Sequence, residues 1–263
     1  MSRAEKSRGR GFKSRPRHLS GWDQAYRGGH KRSAPFHDIF DSTSNIAFFS
    51  SRIIRGSLVA DVGAGTGRIT LPLASLASHF YAIEPLPAMR TILERNVGQC
   101  DNVSVIASDT QSFSLPKQCD ATVLSGVYDH FLNDEEREAS LGAIYEYLKP
   151  GGILLMDVYI GSAASSPQRL IDACHDGPMA YLRYIGRSAH GRVVNVLLRY
   201  ETYRDGILVS SVTERSPVSF STPGGVRKML ERTGFVVERA WWDYAGTSFK
   251  EDSGTIVLQS RRR

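Results

Sequence analysis

Val59-Ala-Asp-Val-Gly-Ala-Gly-Thr-Gly-Arg68 is the stretch that decides the fold of this 263-residue chain. An apolar strand carrying an acid near its end, Asp61, runs into glycines at every second position, and a helix follows. Gly63, Gly65 and Gly67 let the backbone turn sharply and approach a ligand where a Cβ would collide. A loop of this kind at the carboxyl edge of a parallel strand is where open α/β sheets hold nucleotide-like ligands. Its G-x-G-x-G spacing is one residue shorter than the dinucleotide fingerprint G-x-G-x-x-G.

On the C-terminal side of that stretch, strands and helices alternate. Strands are predicted at 58–62, 79–83, 103–107, 121–124 and 153–158, with helices at 69–77 and 87–96. Asn133, with Glu136 three residues on, caps a further helix. Its Leu141, Ile144, Tyr145 and Leu148 share one face, and Pro150-Gly151-Gly152 ends it. Alternation with short connections implies a parallel sheet covered on both faces.

Beyond Tyr159 the pattern changes. A Ser/Ala/Gly/Pro stretch over 161–167 precedes an expected helix near 168–175. Two alternating runs, 193–203 and 207–218, flank Arg204-Asp205-Gly206, an antiparallel hairpin signal. Residues 161–221 thus read as an inserted subdomain over the sheet, a lid or a homodimer surface. Thr222 as N-cap with Pro223 in the first turn reopens the core with a helix that Gly234 closes. Strands at 235–242 and 255–260 finish it as a hairpin. The resulting division is a basic leader over 1–19, a helical cover over 20–55, a core over 56–160, the insertion, and a completion of the core over 222–263.

Acids recur at successive strand ends. Glu84 closes the second strand, where a carboxylate can accept from both hydroxyls of a ribose. Asp109, after the third, can accept from the exocyclic amine of an adenine. Asp61 can steer an ammonium group directly or through water. Each has a plainer reading, Glu84 as a solvated strand-end charge and Asp109 as a cap for the next turn, but the three in register point together to a nucleoside ligand.

These segments resemble the class I S-adenosylmethionine-dependent methyltransferases. VADVGAGTGR is similar to their first motif, YAIEP carries the second-strand acid, SDTQSF resembles the adenine-side motif, LSGVYDHF the region after the fourth strand, and LKPGGILLMD the approach to the fifth. The resemblance spans 57–160 and 222–260, somewhat over half the chain. It implies an α/β, Rossmann-like, seven-stranded, mostly parallel sheet with an antiparallel last strand. It also implies S-adenosylmethionine as cofactor, held by Asp61, Gly63, Ala64, Gly65, Gly67, Glu84, Pro85, Asp109, Thr110 and Ser125. An N-terminal cover is implied too, in which Trp22, Tyr26 or Arg27 touches the cofactor. Trp22 and Tyr26, at i, i+4 spacing, read equally as core residues of a helix.

Methyl transfer asks chiefly for alignment in a dry pocket, with a base where the acceptor carries a proton. His130, just beyond the fourth strand, is the candidate base; it also reads as a packing residue that moves no proton. Tyr128 and Asp129 are neighbours suited to orienting an acceptor. Trp241, Trp242 and Tyr244 read as core or as the wall of an aromatic pocket. Several features of other acceptor classes are missing. Ser125-Gly-Val-Tyr128 is not the Asn/Asp-Pro-Pro-aromatic tetrapeptide of amino-methylating nucleic-acid enzymes. There is no acid-rich metal site and no Cys pair.

Charge is concentrated at one end. Residues 1–17 hold seven basic side chains and one acid, and removing them from the chain's 33 basic and 27 acidic residues leaves 26 of each. The leader reads as a solvated, disordered tail, or as an electrostatic arm for RNA or an acidic partner. Three scattered cysteines, no apolar run of membrane length and no visible secretory signal suggest a cytoplasmic protein with reduced thiols. The function expected is methyl transfer to an O or N of a small-molecule acceptor such as a secondary metabolite or sugar. RNA or protein methylation through the leader, and a non-catalytic cofactor-binding scaffold, are the alternatives.

Overall fold

The computed structural model describes residues 32–40, 43–161, 163–250 and 254–263. The leader and the Trp22, Tyr26 and Arg27 readings lie outside the described residues. Helices α1 (32–40) and α2 (Ser44–Ser50) precede strand β1 (Leu58–Val62). There follow α3 (Thr70–Ala74), β2 (His79–Ile83), α4 (Pro87–Val97), β3 (Val103–Ile106) and β4 (Cys119–Leu124). A 3-10 turn at Tyr128–His130 leads to α5 (Asp134–Tyr147) and β5 (Leu148–Tyr159).

After an insertion of four strands, β6 (Ser166–Asp176), β7 (Met179–His190), β8 (Val193–Arg204) and β9 (Ile207–Ser219), the core resumes with α6 (Pro223–Arg232), β10 (Phe235–Trp241) and β11 (Thr255–Arg262).

The core sheet runs β10-β11-β5-β4-β1-β2-β3. Only β11 runs against its neighbours, pairing antiparallel with both β10 and β5. The expected seven strands and antiparallel last strand are therefore observed. Side chains leave each central strand alternately to two apolar layers, as a sheet buried on both faces requires. Ala60 and Val62 pack with Leu141, Ile144, Val226 and Leu230 of α5 and α6. Val59 packs with Phe48, Phe49 and Leu73 of α2 and α3. Because β1 sits between β2 and β4, chains leaving β1 and β4 go to opposite faces and leave a crevice at their carboxyl ends.

Helix α5 begins as the sequence predicts. Asn133 Oδ1 accepts from the Glu136 amide at 2.8 Å, and Glu136 Oε2 accepts from the Leu132 amide at 2.8 Å. The helix stops at Tyr147 rather than at Pro150, because the residues before a proline are driven out of the helical region. Strand β5 accordingly begins at Leu148, well before the predicted 153.

The insertion departs most from expectation. It is a four-stranded antiparallel sheet, β6-β7-β8-β9, and the helix expected near 168–175 is strand β6. That segment has no apolar face of its own, and its backbone groups are satisfied by pairing with β7, which local periodicity does not reveal. The hairpin at Asp205-Gly206 is as predicted: both residues have positive φ, 50° and 79°, the signature of a two-residue type I′ turn.

Helix α1 lies between the insertion and the core. Phe36 stacks on Tyr200 of β8 with ring centroids 4.7 Å apart. Arg183 of β7 reaches the Phe40 carbonyl at 3.4 Å. On the other side, Ala34 packs with Leu86 and Met89 at the start of α4.

Candidate active site

The glycine loop after β1 is fixed by its neighbours. The amides of Gly63 and Ala64 both donate to the Ile83 carbonyl at 2.9 Å. Gly63 has φ +80°, and a Cβ there would stand 2.4 Å from Val127 Cγ2 in the loop after β4. That contact forces glycine and holds the two loops of the crevice together. Among the described residues nothing lies within 4 Å of where a Cβ on Gly65, with φ +59°, would be, which leaves room for a ligand to approach this stretch of backbone. A Cβ on Gly67 would meet Leu93 Cδ1 at 2.7 Å, so this third glycine serves the packing of α4.

Glu84 is the centre of the site. It is 4 % exposed. One oxygen accepts from the Gly65 amide at 2.9 Å and the other from the Leu86 amide at 2.7 Å. An ionised carboxylate has about four acceptor directions, so two remain for a ligand diol. Burial pushes its pKa up to about 7 against the pull of these two amides. Pro85 is half-buried beside it, and Arg90 bonds the carbonyls of both residues at 2.9 and 3.2 Å.

Asp61 lies beneath the loop, 2 % exposed, and accepts from Thr70 Oγ1 at 2.7 Å. Burial raises its pKa to about 6, with Thr70 and Arg68 acting in the opposite sense. Asp109 is exposed, and its Oδ1 is taken by the Gln111 amide and the Ser112 hydroxyl at 2.9 and 2.8 Å. Thr110 turns inward, its hydroxyl 2.9 Å from that of Ser140 on α5. The geometry therefore brings Asp61, the glycines and Glu84 together, while Asp109 caps its own turn and the Thr110 side chain is spent on packing.

The ends of β4 and β5 carry a network that strand-by-strand reading misses. Asp157 accepts from the Ser125 hydroxyl, from the Gly126 amide at 2.7 Å and from Tyr244 Oη at 2.8 Å. Ser125 accepts from Asn45 Nδ2 at 3.4 Å, and Asn45 Oδ1 accepts from Arg68 at 2.9 Å. Burial raises the pKa of Asp157. The available signal was its position as a fourth strand-end acid, in LLMDVY. Trp241 is core, edge-on to Phe48 at 5.1 Å, whereas Trp242 is 43 % exposed.

Asp129 is 4 % exposed and accepts from the Tyr159 amide at 3.1 Å, with burial pushing its pKa up to about 7. Tyr128 is fully buried in the core, where it packs against Phe131. His130 faces strand β9, its Nδ1 3.3 Å from Ser216 Oγ. Burial lowers its pKa, while the Glu214 carboxylate and the Pro217 backbone raise it. From α1, the Asp38 carboxylate accepts from the Thr66 hydroxyl in the glycine loop, and His37 Nε2 lies 3.7 Å from Glu214 Oε2. Neither Asp38, His37 nor Glu214 belongs to a recognisable motif.

Residues 59–152 match a family model described as a methyltransferase domain. An uncharacterized methyltransferase of Anoxybacillus flavithermus is 29% identical over 136 residues, covering 50% of this chain and 60% of the relative. The chain thus spans about 60% of the length of that curated relative. Among solved structures, an S-adenosylmethionine-dependent methyltransferase from Clostridium acetobutylicum superposes with a TM-score of 0.76 at 14% identity, covering 89% of this chain and 98% of its own. The S-adenosylmethionine-bound structure of CalS10, an amino pentose methyltransferase from Micromonospora echinaspora involved in calicheamicin biosynthesis, superposes at 0.72 with 18% identity, covering 88% and 96%.

Proposed function

We propose that this chain, whose residues 59–152 match a methyltransferase domain, binds S-adenosylmethionine and moves a methyl group to an oxygen or nitrogen of a small molecule. The observation that carries this reading is the acidity of the crevice. Asp61, Glu84, Asp129 and Asp157 are all buried at the carboxyl edge, and the Gly65 amide is already engaged by Glu84. A pyrophosphate needs free loop amides and a positive setting. A ligand bearing a sulfonium and an ammonium is instead attracted here, and the open space at Gly65 accommodates it.

In this reading Glu84 accepts from the ribose hydroxyls, Asp61 and the 63–67 backbone hold the amino acid end, and Pro85, Asp109 and the Thr110 backbone border the adenine. Ser125, held by Asp157, faces the reacting end, and Tyr26, outside the described residues, is a further cofactor contact in this reading. Bound there, S-adenosylmethionine would supply a methyl group already activated by its sulfonium. The protein's own tasks are to exclude water, align the acceptor and receive its proton. His130 takes that proton, since burial keeps its imidazole in the neutral form that a base requires.

A small acceptor is favoured because α1 reaches the glycine loop through Asp38 and Thr66 and the insertion sheet reaches the turn after β4 through Ser216 and His130, which narrows the approach to the crevice. The amino pentose enzyme, which shares this architecture across most of both chains, acts on an acceptor of that size.

Calorimetry with S-adenosylmethionine tests the cofactor site. Glu84→Ala and Gly65→Val should each weaken binding at least about tenfold, near 1.4 kcal/mol; parent-like affinity in both overturns it. Labelled cofactor turned over with extracts of the source organism, followed by mass identification of the product, finds the acceptor. An unchanged turnover number in His130→Ala removes that residue from the chemistry.

A further inference from the structure

Methylation of an O–H or N–H acceptor releases one proton into the site, and that proton has to leave. The inner face of the insertion sheet shows where. Cross-strand partners on β8 and β9 pair Val194 with Val218, Val196 with Ser216, Leu198 with Glu214 and Tyr200 with Val212. One face of this row is apolar except for Ser216 and Glu214. Glu214 is 2 % exposed. A carboxylate in such a setting costs several kcal/mol unless cations or hydrogen bonds compensate it, and a protonatable imidazole beside it is one such group.

Two histidines from different elements converge on it. His37 of α1 lies 3.7 Å away, with its side chain 25% exposed. His130, on the turn after β4, contacts Ser216 two residues along β9 and feels the Glu214 charge. Among the described residues, the groups acting on His130 include Glu214, Ser216 and the Pro217 backbone from β9 and His37 from α1; Asp157 of β5 acts on Asp129.

We propose that His130, Glu214 and His37 form a proton exit from the acceptor site to solvent. As the acceptor's X–H bond breaks, its electron pair stays on X and the His130 lone pair takes the proton. The imidazolium so formed gives its proton to the Glu214 carboxylate, and the resulting carboxyl gives a proton to the lone pair of the His37 imidazole at the solvent side, each N–H or O–H bond breaking as the next one forms. His37 releases the proton to water, and the trio returns to its starting charge. Glu214 is the relay between the two imidazoles in this scheme, and His37 completes the path. The inference rests on His130 as the base, and its test separates the two.

The first measurement uses the ligand-free full-length protein: histidine titrations followed by NMR on 15N-labelled imidazoles. Glu214→Gln should lower the His130 midpoint by about one pH unit, because the carboxylate that favours the imidazolium is gone. It should also cut kcat near neutrality by about tenfold with unchanged cofactor affinity. Glu214→Asp should restore most of both. His37→Ala, at a part-exposed position, should lower kcat and recover on addition of free imidazole, while KM for cofactor stays constant.

An unmoved His130 midpoint in Glu214→Gln overturns the proposal, as does a His37→Ala defect that imidazole leaves untouched. If His130→Ala turns over like the parent, the base reading has failed. If His130→Ala is impaired while Glu214→Gln keeps the parental pH profile, only the exit path has.

Discussion

Glu84 offers a test in which stability and function move in opposite directions. Its carboxyl goes from an ordinary 4.5 to about 7 on folding, chiefly through burial. An acid whose pKa rises on folding holds its proton more tightly in the folded state. Its contribution to stability is therefore fully present below pH 4.5, falls as pH climbs through about 7, and is level above. A shift of that size corresponds to about 3 kcal/mol of folding free energy at pH 8.5.

Glu84→Gln removes the ionisation cost but keeps only one acceptor oxygen for the Gly65 and Leu86 amides, a loss of about 1 kcal/mol. The ligand-free variant should then be more stable than the parent by about 2 kcal/mol at pH 8.5, raising Tm by roughly 4 to 8 °C. At pH 5 the parent's Glu84 is protonated when folded, and the two proteins should agree within about 1 kcal/mol. Thermal and urea unfolding at the two pH values, read by tryptophan fluorescence, measures the difference. A Glu84→Gln protein no more stable than the parent at pH 8.5, or shifted equally at both pH values, refutes a buried, ionisation-strained carboxylate at this position.

S-adenosylmethionine affinity should weaken as pH drops below 7, approaching about tenfold per unit, as protons compete for Glu84; calorimetry between pH 8 and 5.5 follows it. Gly63→Ala combines a positive φ with a 2.4 Å approach to Val127, and should cost about 2 kcal/mol or more in unfolding free energy. Asn133→Ala should lose about 1 kcal/mol, since it leaves the Glu136 amide uncapped. A protein beginning at Ser20 should bind S-adenosylmethionine like the full chain. If the leader instead delivers an RNA substrate, the full chain's RNA affinity falls steeply with salt and vanishes in the truncation.

Much of the core was legible because its signals are local. The acid of YAIEP, the glycine spacing and the Asn133 cap each depend on a few neighbouring residues, and the strands between helices are apolar because both faces are buried. The bond between the Thr110 and Ser140 hydroxyls was not legible, because the two residues are thirty positions apart, on a loop and on α5. Strand β6 was misread because only pairing with β7 distinguishes it from a short helix. His37, Asp38 and Glu214 carry no motif, and their part in the site arises from α1 being laid between two sheets.

The amino-acid order alone determined where the chain turns left-handed, where its helices start and which strand ends bear acids, since these follow from steric freedom, capping and periodicity within a few residues. Only the folded arrangement decided that Glu84 bonds the Gly65 amide, that Asp157 gathers Ser125, Gly126 and Tyr244, and that His37 of α1 and His130 after β4 both reach strand β9, at Glu214 and Ser216. Those relations depend on strand order and on what covers the crevice. Contacts between residues far apart in the chain leave no periodic trace in it, because burial and pairing are properties of the assembled layers.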